Sequence, residues 1–104
     1  MNSIRVDFGK IAWDTKSAGM RVKRSIQDGK QVRLVEIGPD SGEADWCEVG
    51  HVGYILEGEL ETSIDGAIER LSAGDGLIIP SGKRYRHKSK AVNGTVRLLL
   101  VDDA

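Results

Sequence analysis

The residues of this chain that could take part in chemistry are few: its 104 residues include two histidines, His51 and His87, and one cysteine, Cys47. Side chains alternate between the two faces of a β-strand, so Cys47 and His51 would share one face of a regular strand. Tyr85 and His87 would share a face of another strand by the same rule. Thiolate and imidazole groups are ligands that zinc prefers in proteins. The spacing therefore allows a zinc-type cluster, with an oxygen ligand from Asp45 or Tyr85 nearby.

Each of these residues also has an explanation that involves no metal. The lone Cys47 cannot form a disulfide within the chain, and a free cysteine most often packs as a small buried hydrophobic residue. Tyr85 and His87 would equally well line a pocket with hydrogen-bonding groups. Asp45 fits a loop that leads into the strand. The residue types alone leave both interpretations open.

Two Asp-Gly pairs, at positions 28–29 and 65–66, predict β-hairpins, because Asp-Gly suits the positive φ angles of a two-residue type I′ turn. Before the first pair, the apolar residues Met20, Val22 and Ile26 alternate with polar residues, which indicates a half-buried strand. The two hairpins would comprise residues 20–27 with 30–37, and residues 59–64 with 67–71.

Turn signals, among them Gly58 and the pair Asn93-Gly94, recur about every ten residues along the chain, and short β-rich runs separate them. No segment keeps apolar residues at helical spacing over three turns, so long helices are not expected. The remaining runs predict strands at residues 4–8, 52–56, 76–79, 85–88 and 95–101. The pattern predicts one all-β domain over residues 1–104, a sandwich or barrel of antiparallel strands.

Charge and hydropathy exclude several classes of partner. Fifteen basic and sixteen acidic residues give a net charge of −1, which offers no general attraction to nucleic acid or to an anionic membrane. The basic residues at positions 84, 86, 88 and 90 alternate with others, as on a solvated strand face. No apolar run approaches the ~20 residues of a membrane helix, and the N-terminal residues lack the apolar stretch of a secretory signal. The expected location is the cytoplasm.

Two segments carry a family resemblance. Residues 54–59 read Tyr-Ile-Leu-Glu-Gly-Glu, and residues 74–82 read Gly-Asp-Gly-Leu-Ile-Ile-Pro-Ser-Gly. Both segments resemble the two short motifs of the cupin family, in the right order and at about the right separation. The resemblance implies a cupin-type jelly-roll barrel of antiparallel strands around a central cavity, where ligands bind on inward-facing residues. It also implies pairing of two copies as a homodimer.

The metal-binding positions of the cupin motifs are occupied by other residues here. Cupins that bind a divalent metal use two early histidines, a Glu or Gln, and a late histidine. The resemblance places Asp45 and Cys47 at the early positions, His51 at the Glu or Gln position, and Tyr85 at the late one. All four side chains are capable of ligating a metal, and His87 offers an imidazole close to Tyr85.

The resemblance implies two alternative functions. The first is a binding module without a working metal site, which holds a small polar metabolite against His51, Tyr85 and His87, with Ile55 and Ile79 as apolar walls. The second is a metal-dependent enzyme of the isomerase, dioxygenase or lyase type. Its zinc, nickel or iron ion would be held by Cys47, His51 and His87, with Asp45 nearby.

Overall fold

The computed structural model describes residues 3–17, 19–41 and 45–104. The strands in these ranges are β1 (Asp14–Ser17), β2 (Met20–Gln27), β3 (Lys30–Ile37), β4 (His51–Ile64), β5 (Ala67–Ser72), β6 (Gly76–Ile79) and β7 (His87–Asp103). Three-residue 3₁₀ helices occur at Phe8–Lys10, Pro39–Ser41 and Lys83–Tyr85. In the part of the chain that the structure describes, no helix has the length and apolar character needed to cross a membrane.

All strand pairs are antiparallel, and the order of neighbours is β1-β2-β3-β7-β4-β5, with β6 paired to β4. The long strand β7 therefore lies between β3 and β4 and pairs with both. This arrangement confirms the predicted all-β, antiparallel class.

Both predicted hairpins form. Asp28 and Gly29 have φ angles of 52° and 75°, and Asp65 and Gly66 have 49° and 75°. Positive φ at both central residues is the signature of a type I′ turn, and its twist matches that of the flanking strands. Each Asp-Gly pair thus fixes the register of the strands that it joins.

Strand β4 is longer than predicted because residues 52–56 and 59–64 belong to one strand. Gly58, expected at a turn between two strands, instead lies within β4 at a register shift against β7. Its φ is +80°, and a Cβ there would lie 2.4 Å from the carbonyl oxygen of Thr95. The extra residue changes which side chains face inward, from Ile55 before the bulge to Leu60 after it. Asn93 and Gly94, expected at a turn, likewise have positive φ inside the continuous strand β7.

Two other strand predictions are wrong. Residues 4–7 lie outside any strand, and Phe8 begins a 3₁₀ helix in which the Asp7 carboxylate accepts a hydrogen bond from the Gly9 N–H at 3.1 Å. Of residues 85–88, the strand includes only the last two, because the chain turns through Lys83–Tyr85 after Gly82, whose φ is +129°. Strand β7 consequently begins at His87.

The core lies on the inner face of the sheet. Alternate residues of neighbouring strands contribute to it, so that each strand has one buried and one outward row of side chains. The buried hydrophobic residues are Val22, Val35, Ile37, Ile55, Leu60, Val96, Leu98 and Leu100.

Candidate functional site

A cavity of about 200 Å³ opens among the inward-facing side chains. Most of its wall is aliphatic, because the same inner rows that form the core continue around it. The eight aliphatic residues of the wall are Met20, Val35, Ile37, Leu60, Leu77, Ile79, Leu98 and Leu100. The other residues of the wall carry polar groups, among them Arg33, His51 and His87.

Two imidazoles meet at the wall of this cavity. His51 is the first residue of β4, and His87 is the first residue of β7. Their Nε2 atoms are 3.0 Å apart, and the rings are nearly perpendicular at 86°. The backbone holds His87 in place, because its N–H donates to the Cys47 carbonyl at 2.9 Å and its carbonyl accepts from the Cys47 N–H at 2.8 Å.

The other nitrogen of each ring contacts an acceptor. His87 Nδ1 lies 3.0 Å from the backbone carbonyl oxygen of Tyr85, and His51 Nδ1 lies 3.2 Å from Oδ2 of Asp102. A carbonyl oxygen and an ionised carboxylate can only accept, so each Nδ1 carries a hydrogen. In their neutral forms, both rings would therefore point an Nε2 lone pair at the other.

Asp102 is ionised although its side chain is only 3% exposed. Burial opposes the charged form, but the hydrogen bond from Gln31 and the charge of Arg33 outweigh it and lower the pKa of Asp102 below its ordinary value. Gln31 Nε2 donates to one carboxylate oxygen at 2.6 Å, and Arg33 Nη2 donates to the other at 2.5 Å.

The pKa of His51 is also lowered, chiefly by burial and secondly by the charge of His87. The hydrogen bond with Asp102 opposes this shift without cancelling it. Two lone pairs at hydrogen-bonding distance repel, whereas one proton between them forms an Nε2–H···Nε2 bond. The geometry of the His51–His87 pair therefore suits a single hydrogen between the two Nε2 atoms.

Arg33 is the other notable group at the cavity wall. Its guanidinium bonds Asp102 through Nη2, whereas its buried Nε has no hydrogen-bond partner among the described residues. A buried donor without an acceptor costs free energy, which a ligand oxygen could offset. Elsewhere on the wall, the hydroxyls of Thr62 and Ser89 bond each other at 2.7 Å.

Residues 31–102, well over half of the chain, match the family model described as Cupin domain. The chain is a cupin. The cavity is therefore the interior of a cupin barrel, and the motif resemblance of residues 54–59 and 74–82 indicated the correct family.

Solved structures show the same fold. KdgF from Halomonas sp. is 17% identical, with a TM-score of 0.81 over 97% of this chain and 92% of its own. An RmlC-like cupin from Shewanella frigidimarina is 16% identical, with a TM-score of 0.77 over 96% and 89%. The polyketide cyclase RemF from Streptomyces resistomycificus is 22% identical, with a TM-score of 0.76 over 95% and 78%. At these identities the likeness establishes the fold alone, and it confirms the jelly-roll barrel. Among curated proteins, none matches this sequence.

Five of the seven site residues expected from the sequence line the cupin cavity. They are Asp45, Cys47, His51, Ile79 and His87. Ile55 is 0% exposed and packs in the core, outside the cavity wall. Tyr85 ends the turn before β7, so its carbonyl rather than its ring reaches the site, where it accepts the hydrogen bond from His87.

Several polar residues at or beside the site were not anticipated, and four of them contribute its charges or its polar network. Arg33 and Lys88 line the cavity, while Gln31 and Asp102 hold the polar network beside His51. Lys88 was expected on a solvated face, but it lines the cavity. Its Nζ lies 4.7 Å from the centre of the Trp46 ring. The sequence contained one indication of this polar network, because Arg33 is a charged residue in the same alternate row as the core residues Val35 and Ile37.

The donors of this cavity fit a divalent metal poorly. Two imidazoles converge, each with its Nδ1 held by an acceptor, as is usual for histidines that ligate metals. However, a catalytic zinc takes three protein ligands and a structural zinc takes four. Within residues 3–17, 19–41 and 45–104, no three His, Cys, Asp or Glu side chains form a group that could hold a metal ion. The cluster of Cys47, His51, His87 and Asp45 expected from the sequence is therefore reduced to a pair of imidazoles.

Proposed function

We propose that this cupin binds a small organic molecule with an apolar body and a carboxylate group in its inner cavity. The observation that carries the proposal is the convergence of the His51 and His87 Nε2 atoms at 3.0 Å on the wall of a largely aliphatic cavity. A cavity of this kind, with a few convergent polar groups, is the usual form of a small-molecule site.

The volume of the cavity favours a small ligand, and its aliphatic lining favours a ligand with an apolar body. At about 200 Å³, the cavity is smaller than the ~300–1,000 Å³ of sites for drug-sized molecules. Eight aliphatic side chains line it, so most of the ligand surface would contact hydrocarbon. The ligand would accordingly be less polar than the metabolite expected from the sequence.

The polar groups at the cavity wall favour a carboxylate group on the ligand. The histidine pair can present a shared proton, and Arg33 has a buried Nε without an acceptor. A carboxylate has two oxygens, so it can accept from a guanidinium and an imidazole together.

The test compares benzoate with benzyl alcohol, which has a similar body and no charge, by titration of ¹⁵N-labelled protein. We expect benzoate to shift the resonances of cavity residues and to bind more tightly. Arg33→Gln should weaken benzoate about tenfold or more, because hydrogen bonds to charged groups contribute ~1.5–3 kcal/mol.

Arg97→Gln is the matched control, because Arg97 pairs with Glu36 on the opposite face of the sheet. The proposal fails if benzyl alcohol binds as well as benzoate, or if neither ligand shifts the cavity resonances.

Proton transfer on the bound ligand is a second candidate, and the position of His51 favours it. His51 borders both the cavity and an open surface depression that Asp102 and Lys30 also line. A proton could thus reach His87 from solvent through His51. Deuterium incorporation next to the carbonyl of 2-oxobutanoate, followed by NMR in D₂O, tests this. His87→Gln should return the rate to that of buffer, and a rate that is unchanged in this variant would exclude the candidate.

Elemental analysis of protein purified without an affinity tag distinguishes both candidates from a metal-dependent enzyme. Because two imidazoles hold an ion weakly, we expect zinc, nickel and iron well below one per chain, and no rise in melting temperature when they are added. Near-stoichiometric metal that is lost in His51→Ala would instead support the metal enzyme.

A further inference from the structure

The inner wall of the barrel carries a pair of hydroxyl groups beside apolar side chains. Thr62 on β4 lies opposite Ser89 on β7, and their Oγ1 and Oγ atoms are 2.7 Å apart. Both residues line the cavity, and Thr62 is only 4% exposed. On the same inner rows, Leu60 of β4 belongs to the hydrophobic core and Ala91 of β7 packs against it. The two hydroxyls therefore introduce polar groups where the wall could have been hydrocarbon.

This hydroxyl pair retains one hydrogen that it does not use. Each hydroxyl has one hydrogen to donate and two lone pairs with which to accept. The bond between Thr62 and Ser89 uses one hydrogen, whichever residue donates it, so the hydroxyl that accepts still has its own hydrogen to donate. No other group among the described residues bonds either hydroxyl. The pair can therefore offer a ligand both a donor and free lone pairs.

Packing alone gives little reason for hydroxyls at these two positions. A buried hydroxyl costs free energy unless it is hydrogen-bonded, and the pair satisfies only part of its own bonding capacity. Replacing both partners of a hydrogen bond by apolar groups of the same shape is nearly neutral for stability. Valine and alanine would therefore fill this part of the wall equally well, so the hydroxyls are better explained by contact with a ligand.

The hydroxyl pair is well placed relative to the proposed carboxylate site. Ser89 follows His87 by two residues on the same inner row of β7, which is about 7 Å along the strand. Arg33 lies on β3, which pairs with the other end of β7, from Val96 to Asp103. The hydroxyls and Arg33 thus belong to different parts of the cavity wall. A ligand whose carboxylate contacts Arg33 and His87 can reach Thr62 with the other end of a short body.

We propose that Thr62 and Ser89 bind a hydroxyl group of the ligand, which makes the ligand a hydroxy acid with its two polar groups at opposite ends of a short apolar body. This inference rests on the proposed carboxylate site and adds the second polar group of the ligand. A ligand hydroxyl both donates and accepts, as the pair does. A site built to bond a hydroxyl also discriminates against analogues that lack it, because its own polar groups are then left unpaired.

Calorimetric titration with 4-hydroxybenzoate and 4-methylbenzoate tests the inference. The two acids have similar shapes, and only the first carries a hydroxyl opposite its carboxylate. Wild-type protein should bind 4-hydroxybenzoate roughly three- to tenfold more tightly, as expected for one net hydrogen bond. Thr62→Val combined with Ser89→Ala should reverse the preference, because the ligand hydroxyl would then be buried without a partner.

Ser63→Ala is the matched control, because Ser63 follows Thr62 on β4 and faces away from the cavity. This variant should keep the wild-type preference, and so should Thr62→Ser, which retains the hydroxyl.

The comparison of the two acids in wild-type protein decides the inference even if the double variant does not fold. Equal affinities, or tighter binding of 4-methylbenzoate, overturn it. A preference for 4-hydroxybenzoate that persists in the folded double variant overturns it as well. Benzoate separates the two proposals: if benzoate binds and the added hydroxyl gives no gain, only the hydroxyl site is wrong, whereas if none of the three acids binds, the carboxylate site is wrong too.

Discussion

The two faces of the β3–β7 pair use the same chemistry with different results. Asp102 and Asp103 are adjacent on β7 and each pairs with a basic residue of β3, yet their side chains are 3% and 82% exposed. On the inner face, Asp102 bonds Arg33, Gln31 and His51 together, whereas on the outer face Asp103 bonds Lys30 alone. Strand alternation thus separates an electrostatic network that organises a site from an ion pair that borders a surface.

Burial explains why the difference matters. The charges of a surface ion pair stay hydrated, so the pair contributes little to stability. A buried carboxylate loses its hydration, and hydrogen bonds and opposite charges from its neighbours must compensate for that loss. The inner face is therefore sensitive to the loss of any one partner. The outer face should tolerate the same change.

The largest expected effect is a difference in stability between substitutions at two neighbouring residues on opposite faces of β4, Ile55 and Leu56. Ile55→Ala should lower the free energy of unfolding by about 2–5 kcal/mol, because Ile55 is 0% exposed and the substitution leaves a cavity. Leu56→Ala should cost less than about 1 kcal/mol, since Leu56 is already 44% exposed. Urea unfolding of both variants measures the difference, and equal losses would contradict the assigned faces.

An intermediate effect should come from the two aspartates. Asp102→Asn should lower the free energy of unfolding by about 2 kcal/mol or more, because it leaves the partly buried Arg33 without its counter-charge. Asp103→Asn should leave the unfolding curve unchanged within its scatter. If both variants unfold at the same urea concentration, the contrast between the faces is not electrostatic.

The smallest effect concerns pH. The pKa of His51 is lowered in the folded state, so above the ordinary value of 6.5 both states are neutral, and below it the unfolded chain binds more protons. Stability should therefore fall as the pH drops below about 6.5. His51→Gln should flatten this slope, as measured by melting temperatures between about pH 7.5 and 5. A slope as steep as that of the wild-type protein would assign the titration to another group.

The sequence by itself determined the local architecture. The Asp-Gly pairs predicted both hairpins because these residues suit the positive φ angles of a two-residue type I′ turn. Pro80 and the glycines around it marked the end of β6. These features depend on contacts between near neighbours in the chain, which residue types reveal directly.

Tertiary structure alone decided how the site is assembled. Arg33 and Asp102 are far apart in the chain, and they meet because β3 pairs with β7. The register of β7 against β4 depends on the bulges at Gly58 and Asn93, which resemble ordinary turns in the sequence. Since one residue of register moves every side chain to the opposite face, the meeting of His51 with His87 is set by long-range pairing and not by spacing along the chain.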